Sequence, residues 1–489
     1  MFIGIDLGTS GIKVLLVDGN QQEVASHTES LTVQRPHLGW SEQDPEAWWK
    51  ATCRALDSLK EQAPEALSEV QGIGLSGQQH GAVLLGENGK ILRPCILWND
   101  TRSEKECKIF EKRFPQSREV TGNLAMPGFT APKLIWVENH EPDIFKETQH
   151  VLLPKAWLRY KMTGEMLEDM SDASGSLWLD VAHRKWSLEA LKATHLSEDN
   201  MPKLCEGTEP AGTLKDEFVQ RWGFKKAPIF AGSAGDNAAG AVGLGATHPG
   251  DAFISLGTSG VIWITTEEFR AKHEAAIHSF CHAIPQTWNQ MGVTLSAASS
   301  FAWWSRVTGL KEKELLDELP EKPVSPSHIF FAPYLSGERT PYNDGDIRGA
   351  FVGLSHDTTR AEMTQAVLEG VAFSFRDGLE ALRASGSIIE EANVIGGGSK
   401  SPFWVSVLAS ILGIKLYGLA HGEHGGAFGA ARLARIAVTK EDVEKVCTYP
   451  ERISMTEPDI ELQKQYEKLY KSYRKIYPAL HSLHLENRD

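Results

Sequence analysis

The chain has 489 residues, 41% hydrophobic and 23% charged, with a formal net charge of -14 from 50 basic and 64 acidic residues. That length exceeds one compact core and predicts two domains of about 200–250 residues each. The acidic balance argues against a nucleic-acid backbone binder, which needs a basic face, and no apolar run approaches the ~18–20 residues that span a bilayer. The chain opens with two β-branched apolar runs, "MFIGID" and "IKVLLVD", joined by "LGTSG". A turn at Asp18–Asn20 then leads into "QEVASHTES". Asp-Gly between apolar runs is a hairpin signal, so the opening is an antiparallel meander with Gly8, Thr9, Ser10 and Gly11 at its first tip.

Further along, "EAWWKATCRALDSLKEQ" has helical character, and "VQGIGLSG" and "APIFAG" read as short buried strands ending in glycine. The opening grammar then returns in "GDAFISLGTSGVIWITTEE", where the same pentapeptide spans Leu256 to Gly260. An identical pentapeptide at matching places in two strand–turn–strand units half a chain apart points to duplicated domains, divided in the turn-rich stretch "GLGATHPGD". One difference stands out: Asp6 precedes the first pentapeptide and Ser255 the second. The segment Arg360–Ser385 has the period of a long amphipathic helix, followed by the strand "ANVIGGG" and the helix "PFWVSVLASILG". The stripe Leu462, Tyr466, Leu469, Tyr473, Ile476 marks a packing helix near the end.

The six cysteines carry no CxxC pairing and are expected to be reduced, buried thiols of a cytoplasmic protein. The N-terminus has no basic n-region and carries Asp6, so no signal peptide is expected. "HSFCH" has no second ligand pair at zinc spacing and reads as core or loop. Glycine-rich turns let backbone N–H groups approach phosphate, and they recur at Gly8–Gly11, Gly257–Gly260, Gly396–Gly398 and Gly425–Gly429. Two nucleotide motifs fail on context. "GIGLSG" is followed by loop and strand where a dinucleotide fold needs a helix. "GGGSKS" has serine where a P-loop needs glycine before the lysine.

A glycine-rich hairpin in each of two duplicated domains, with aspartate in the first copy, resembles the actin–hexokinase–sugar kinase ATPases. "MPGFTAPKLIWVENHEP" and "RGAFVGLSHDTTRAEMTQAVLEGVAF" resemble signatures of the FGGY carbohydrate kinases within that superfamily. "LWNDTR", "MSDASGSLWLDVA", "GDNAAGAVG" and "PYLSGERTPYN" extend the likeness from end to end, and it is fullest with the bacterial xylulose-kinase branch. The resemblance implies an α/β fold of two duplicated RNase H-like domains, 1–246 for sugar, metal and base and 247–489 for ATP, with a catalytic cleft between them. It implies ATP-dependent phosphorylation of D-xylulose to the 5-phosphate. Ribulose, gluconate or glycerol kinases of the same family are the alternative. Nucleic acid and membrane are not expected partners, and a homodimer is compatible with the reading.

On this resemblance Asp6 holds Mg²⁺, which prefers carboxylate and water oxygens, and Asp236 of "GDN" is the general base. By position alone Asp236 suits a helix N-cap equally well. Thr9, Ser10, Gly257, Thr258 and Ser259 meet phosphate. Lys13 adds charge there or is a solvated strand residue. Gln79, His80, Asn237 and Trp98 face the sugar, although Trp98 also suits a core position. The family pattern has methionine where Gln79 stands, which bears on sugar preference. Asp100 and Asp172 are weaker sugar candidates. Gly397, Gly398 and Ser399 lie against adenosine. Gly425, Gly426 and Gly429 either close that pocket or pack helices.

Overall fold

The computed structural model describes residues 1–271, 273–420 and 425–486 of the chain. The first half begins with the meander β1 (Phe2–Leu7), β2 (Gly11–Val17) and β3 (Glu23–Ser30), each strand antiparallel to the last. Alternation divides the faces: Ile3, Ile5, Leu7 and Val14 enter one core, Phe2, Leu15 and Val17 another. α1 (Pro45–Gln62) starts where Asp44 accepts from Glu46 N and Pro45 takes the first helical position. Next comes β4 (Gly72–Gly77), parallel to β1. The short α2 (Met170–Ser174), β5 (Pro210–Thr213), β6 (Ile229–Ala231) and α3 (Asp236–Leu244) follow. The sheet runs β5-β6-β4-β1-β2-β3.

The second half contains β7 (Ala252–Leu256), β8 (Gly260–Thr266), β9 (His278–Cys281), β10 (Trp288–Thr294) and α4 (Ala298–Thr308). It continues with α5 (Arg360–Ala384), β11 (Glu391–Ile395), α6 (Pro402–Leu412) and β12 (Lys415–Leu419). α7 (Gly426–Thr439), β13 (Arg452–Thr456) and α8 (Ile460–Tyr473) close it. Its sheet runs β9-β10-β8-β7-β11-β12-β13. Apart from the extra edge strand β9, this repeats the spatial order and pairing directions of the first sheet, but its far edge strand β13 follows β12 in the chain, whereas β5 precedes β6. The hairpin pairs antiparallel, the next two strands join in parallel, and the last strand reverses. The duplication announced by the pentapeptide is therefore a duplication of the five central strands, with the far edge strand connected differently.

The two copies of LGTSG nevertheless fold differently. Leu7 pairs with Ile12, leaving Gly8–Gly11 outside the pairing, whereas Leu256 pairs directly with Gly260, leaving only Gly257–Ser259. Tertiary bonds distinguish the tips. Thr9 O accepts from Gln43 Nε2 at 2.8 Å and Ser10 O from Leu31 N at 2.9 Å. In the second copy Gly257 O and Thr258 O accept from Ala298 N and Ala297 N at the start of α4, at 2.7 and 3.0 Å.

The helix on the β1/β4 face of the first sheet comes from the second half. α7 lies across β1, β2, β4 and β6 and packs against α3. Glycines permit that approach: a Cβ on Gly4 or Gly74 would strike the Ala427 or Ala430 carbonyl, and one on Gly429 would strike the Ala239 carbonyl of α3. All six cysteines are free and buried. His278 and His282 of "HSFCH" bond to Asn123 Oδ1 at 3.0 Å and Ala246 O at 3.1 Å. Among the described residues no helix is long and apolar enough to cross a membrane.

Candidate active site

Asp6 and Ser76 lie side by side in register on β1 and β4, on the face that meets α7. Ser76 Oγ donates to Asp6 Oδ1 at 2.7 Å, and a Cβ on Gly426 would come within 3.0 Å of that same oxygen. The Asp6 carboxylate thus sits at the end of the first hairpin, walled by the first turn of α7. Burial raises its pKa, while Ser76 and the Lys13 ammonium pull the other way. Lys13 stands opposite Asp6 in the β1–β2 pair.

Asp236 opens α3, directly after the Ala234–Gly235 bridge to β4. Its Oδ1 accepts from Asn237 N at 2.7 Å and from Asn237 Nδ2 at 3.0 Å. The side chain keeps water-accessible surface, yet protein atoms crowd it closely enough that burial, and then the nearby Asp6 charge, push its pKa up to about 7. A carboxyl poised there is suited to proton transfer near neutral pH. Because water reaches the group, the burial part of that shift depends on how far the cleft is open.

Gln79 is buried, its Nε2 donating to Ser171 O at 3.1 Å, and it fills the space a Cβ on Gly235 would need. His80 adopts φ 69°, and its Nδ1 lies 2.6 Å from Gly175 O. Burial, then the Lys133 and Arg339 cations, hold its pKa down at about 3, so the imidazole is neutral. The His80 ring packs on Phe129 at 4.6 Å. Arg339 arrives from the second half and places Nη1 2.7 Å from Met126 Sδ. Among the described residues it makes no ion pair.

Thr9 joins Trp98 to this region. Trp98 Nε1 donates to Thr9 Oγ1 at 2.9 Å, and Thr9 Oγ1 donates to Gln78 Oε1 at 2.8 Å. Trp98 is 46% exposed, so its ring borders the opening and is not a core residue. Ser10, Thr258 and Ser259 lie exposed at the hairpin tips.

On the second half a cavity of about 1030 Å³ opens between the β7–β8 tip, α4 and the turn after β11. Gly257, Thr258, Gly397 and Gly398 line it, while Ser259 and Ser399 do not. Trp303, Phe301, Leu316 and Leu335 give it an apolar wall, and its charged lining includes Arg306, Glu312 and Lys313, the last paired with Asp317 at 2.7 Å. Ser399 turns its hydroxyl back to Gly396 O at 2.7 Å. An apolar slot beside glycine turns and cations accommodates a heterocycle with attached phosphates.

The two weaker sugar candidates are both buried. Asp100 is buried and bonds Ser41 N at 2.6 Å and Arg102 Nη2 at 2.7 Å, a structural ion pair. Asp172 is fully buried and faces Lys155 at 3.5 Å. Gly429 serves helix packing, while Gly426 borders Asp6. Ser76, Ser171, Arg306 and Arg339 were not singled out from the sequence: Ser171 and Arg339 lie inside the quoted segments "MSDASGSLWLDVA" and "PYLSGERTPYN" and Ser76 inside "GIGLSG", but nothing in those segments sets them apart from their neighbours.

Profiles of the FGGY family of carbohydrate kinases match this chain twice, the N-terminal domain over residues 1–243 and the C-terminal domain over 252–438. The chain is 48% identical over 483 residues to a xylulose kinase of Escherichia coli (strain K12), covering 98% of this chain and 99% of that one. It is 49% identical over 442 residues to a xylulose kinase of Klebsiella pneumoniae, covering 90% and 91%. A solved structure from Brucella ovis, described as a xyloylose kinase, superposes with a TM-score of 0.96 at 49% identity over 99% of both chains. This chain belongs to the FGGY family of carbohydrate kinases.

Proposed function

We propose that the chain phosphorylates D-xylulose at its terminal hydroxyl with ATP, giving D-xylulose 5-phosphate and ADP. The observation that carries the chemistry is the placement of Asp236, at the start of α3, close enough to Asp6 on β1 that the Asp6 charge raises its pKa. The sugar follows from near full-length identity to two xylulose kinases. Residues 1–246 form the sugar half and 247–489 the ATP half. Asp236 accepts the proton of the attacking hydroxyl as its oxygen bonds to the γ-phosphorus and the bridge to ADP breaks. Such base terms contribute about 10²–10⁴-fold, with positioning and charge neutralisation supplying much of the rest. Gln79, neutral His80, Asn237 and Trp98 orient the sugar. Thr9, Ser10, Lys13 and the second hairpin, Gly257–Ser259, meet the phosphates. Gly397, Gly398 and Ser399 lie along the nucleoside.

The Asp6 carboxylate, with one serine hydroxyl bonded to it among the described residues, offers the hard oxygen donor that Mg²⁺ favours. Bound there with ATP, the ion neutralises phosphate charge. ADP release should be measured with Mg-ATP across D-xylulose, D- and L-ribulose, gluconate and glycerol. A clear lead in kcat/KM for D-xylulose supports the assignment. A lead for another acceptor overturns the sugar, and no release with any of them overturns the transfer.

A further inference from the structure

Behind the sugar face, three carboxylates and a lysine meet with essentially no exposed surface. Lys155 Nζ lies 2.6 Å from Glu168 Oε1, 2.7 Å from Asp169 Oδ2 and 3.5 Å from Asp172 Oδ2. The three acidic ligand atoms lie within 4.8 Å of one another, and the Lys155 ammonium is their cation. Burying such a set costs several kcal/mol per ion before its attractions are counted, and it tolerates little displacement once formed. What the set holds is the start of α2. Asp169 gives Oδ2 to Lys155 and Oδ1 to Ser171, accepting from Ser171 N at 2.8 Å and Ser171 Oγ at 2.5 Å.

That geometry fixes the Ser171 hydroxyl. Its proton goes to a carboxylate through a short, charge-assisted bond, so its lone pairs are left to accept. The donor they meet is Gly235 N at 3.1 Å, one residue before Asp236. The carbonyl of the same serine accepts from Gln79 Nε2 at 3.1 Å. One buried residue therefore grips the backbone leading into Asp236 through its side chain and the Gln79 amide through its main chain. The next turn of the segment reaches His80, through Gly175 O at 2.6 Å.

We propose that Ser171 is a positioning residue that sets the Asp236 carboxylate relative to the sugar-facing Gln79, with the Lys155–Asp169 pair holding Ser171 in place. This rests on Asp236 being the base. The Gln79 contact uses the backbone and survives loss of the hydroxyl; the Gly235 contact does not. Ser171→Ala should therefore lower kcat by about 10–100-fold, the scale of a misplacement near 1 Å. KM for D-xylulose and for ATP should stay within about 3-fold, because ground-state contacts are intact.

The deciding experiment is a double-mutant cycle with Asp236→Asn, read as ADP release on the full chain. If Ser171 acts through Asp236, adding Ser171→Ala to Asp236→Asn costs less than about 3-fold more. Ser171→Thr, which keeps the hydroxyl, should recover most of the loss. An equal loss in both backgrounds, or wild-type turnover by Ser171→Ala, overturns the proposal. Wild-type turnover by Asp236→Asn alone would instead remove the base assignment. Should the alanine variant not fold, Ser171→Cys keeps the volume, weakens the acceptor and enters the same cycle.

Discussion

Replacing Gly429 by alanine puts a methyl where α7 crosses α3. The added Cβ lands on the Ala239 carbonyl, far inside the 3.0 Å that real Cβ atoms respect. Both sides of the clash are backbone, so the helices must part by about 1 Å or more. Overpacking costs about 1–3 kcal/mol, and a backbone clash belongs at the top of that range. Alanine's helix propensity returns about 1 kcal/mol, leaving a net loss of about 2 kcal/mol. Turnover should suffer more than stability. α3 carries Asp236 on its first turn, and α7 walls Asp6, so parting the helices separates the two carboxylates. A displacement near 1 Å costs about 10²-fold in rate. Gly240, also on α3, is the control, because nothing lies within 4 Å of its added Cβ. Gly240→Ala should raise stability by up to about 1 kcal/mol and leave kcat unchanged. Thermal denaturation and ADP release on the three proteins decide the matter. A Gly429→Ala protein with the wild-type midpoint and wild-type kcat would refute the reasoning.

Glu369 on α5 is buried and accepts from Gln365 Nε2 at 2.7 Å and Tyr466 Oη at 2.8 Å, yet burial pushes its pKa up to about 7. The folded state keeps this proton while the unfolded chain releases it near 4.5. Stability is thus lost as pH rises from about 4.5 to about 7, by up to about 3 kcal/mol. Glu369→Gln cannot ionise, so its melting temperature relative to wild type should climb between pH 5 and pH 8; a flat or falling difference would contradict the assignment. Gln79 already uses Nε2 on Ser171 O, leaving Oε1 for a sugar hydroxyl. Gln79→Met should shift the kcat/KM ratio of D-xylulose to D-ribulose by less than about 10-fold, with ATP KM unchanged. A changed ATP KM with an unchanged sugar ratio would take Gln79 out of the sugar site.

Much of this fold is legible because its signals are local. The meander follows from period-two alternation and an Asp-Gly turn, and α5 and α8 from helical stripes of apolar residues. The repeated pentapeptide gave away the duplication, yet not the one-residue difference between the hairpins. That difference depends on what each tip bonds to, α4 in one case and Gln43 with Leu31 in the other. Gly425–Gly429 read equally well as a nucleotide turn or a packing helix. The answer lay in α3 and β1, which are far away in sequence. Ser171 is one small residue within "MSDASGSLWLDVA" and Lys155 lies outside every quoted segment, and their roles exist only through partners that folding brings to them. Trp98 was undecided for the same reason, since its exposure is set by the neighbours it lacks.

The placement of α7 has a consequence for biosynthesis. A ribosome finishes β1, β4 and β6 long before it reaches Gly426–Thr439, the stretch that covers them. Until then Phe2, Leu15 and Val17 have no apolar cover from α7, and the glycine-lined groove between Gly4 and Gly74 stands empty. The first half is a unit of sheet topology whose α7 cover comes from the second half. Cut at the midpoint, the two fragments should be poorly behaved alone and recover activity when made together. The same late closure ties Asp6 to the near-complete chain, so the wall beside this carboxylate is added only after the first sheet and all but the last strand of the second have been synthesised.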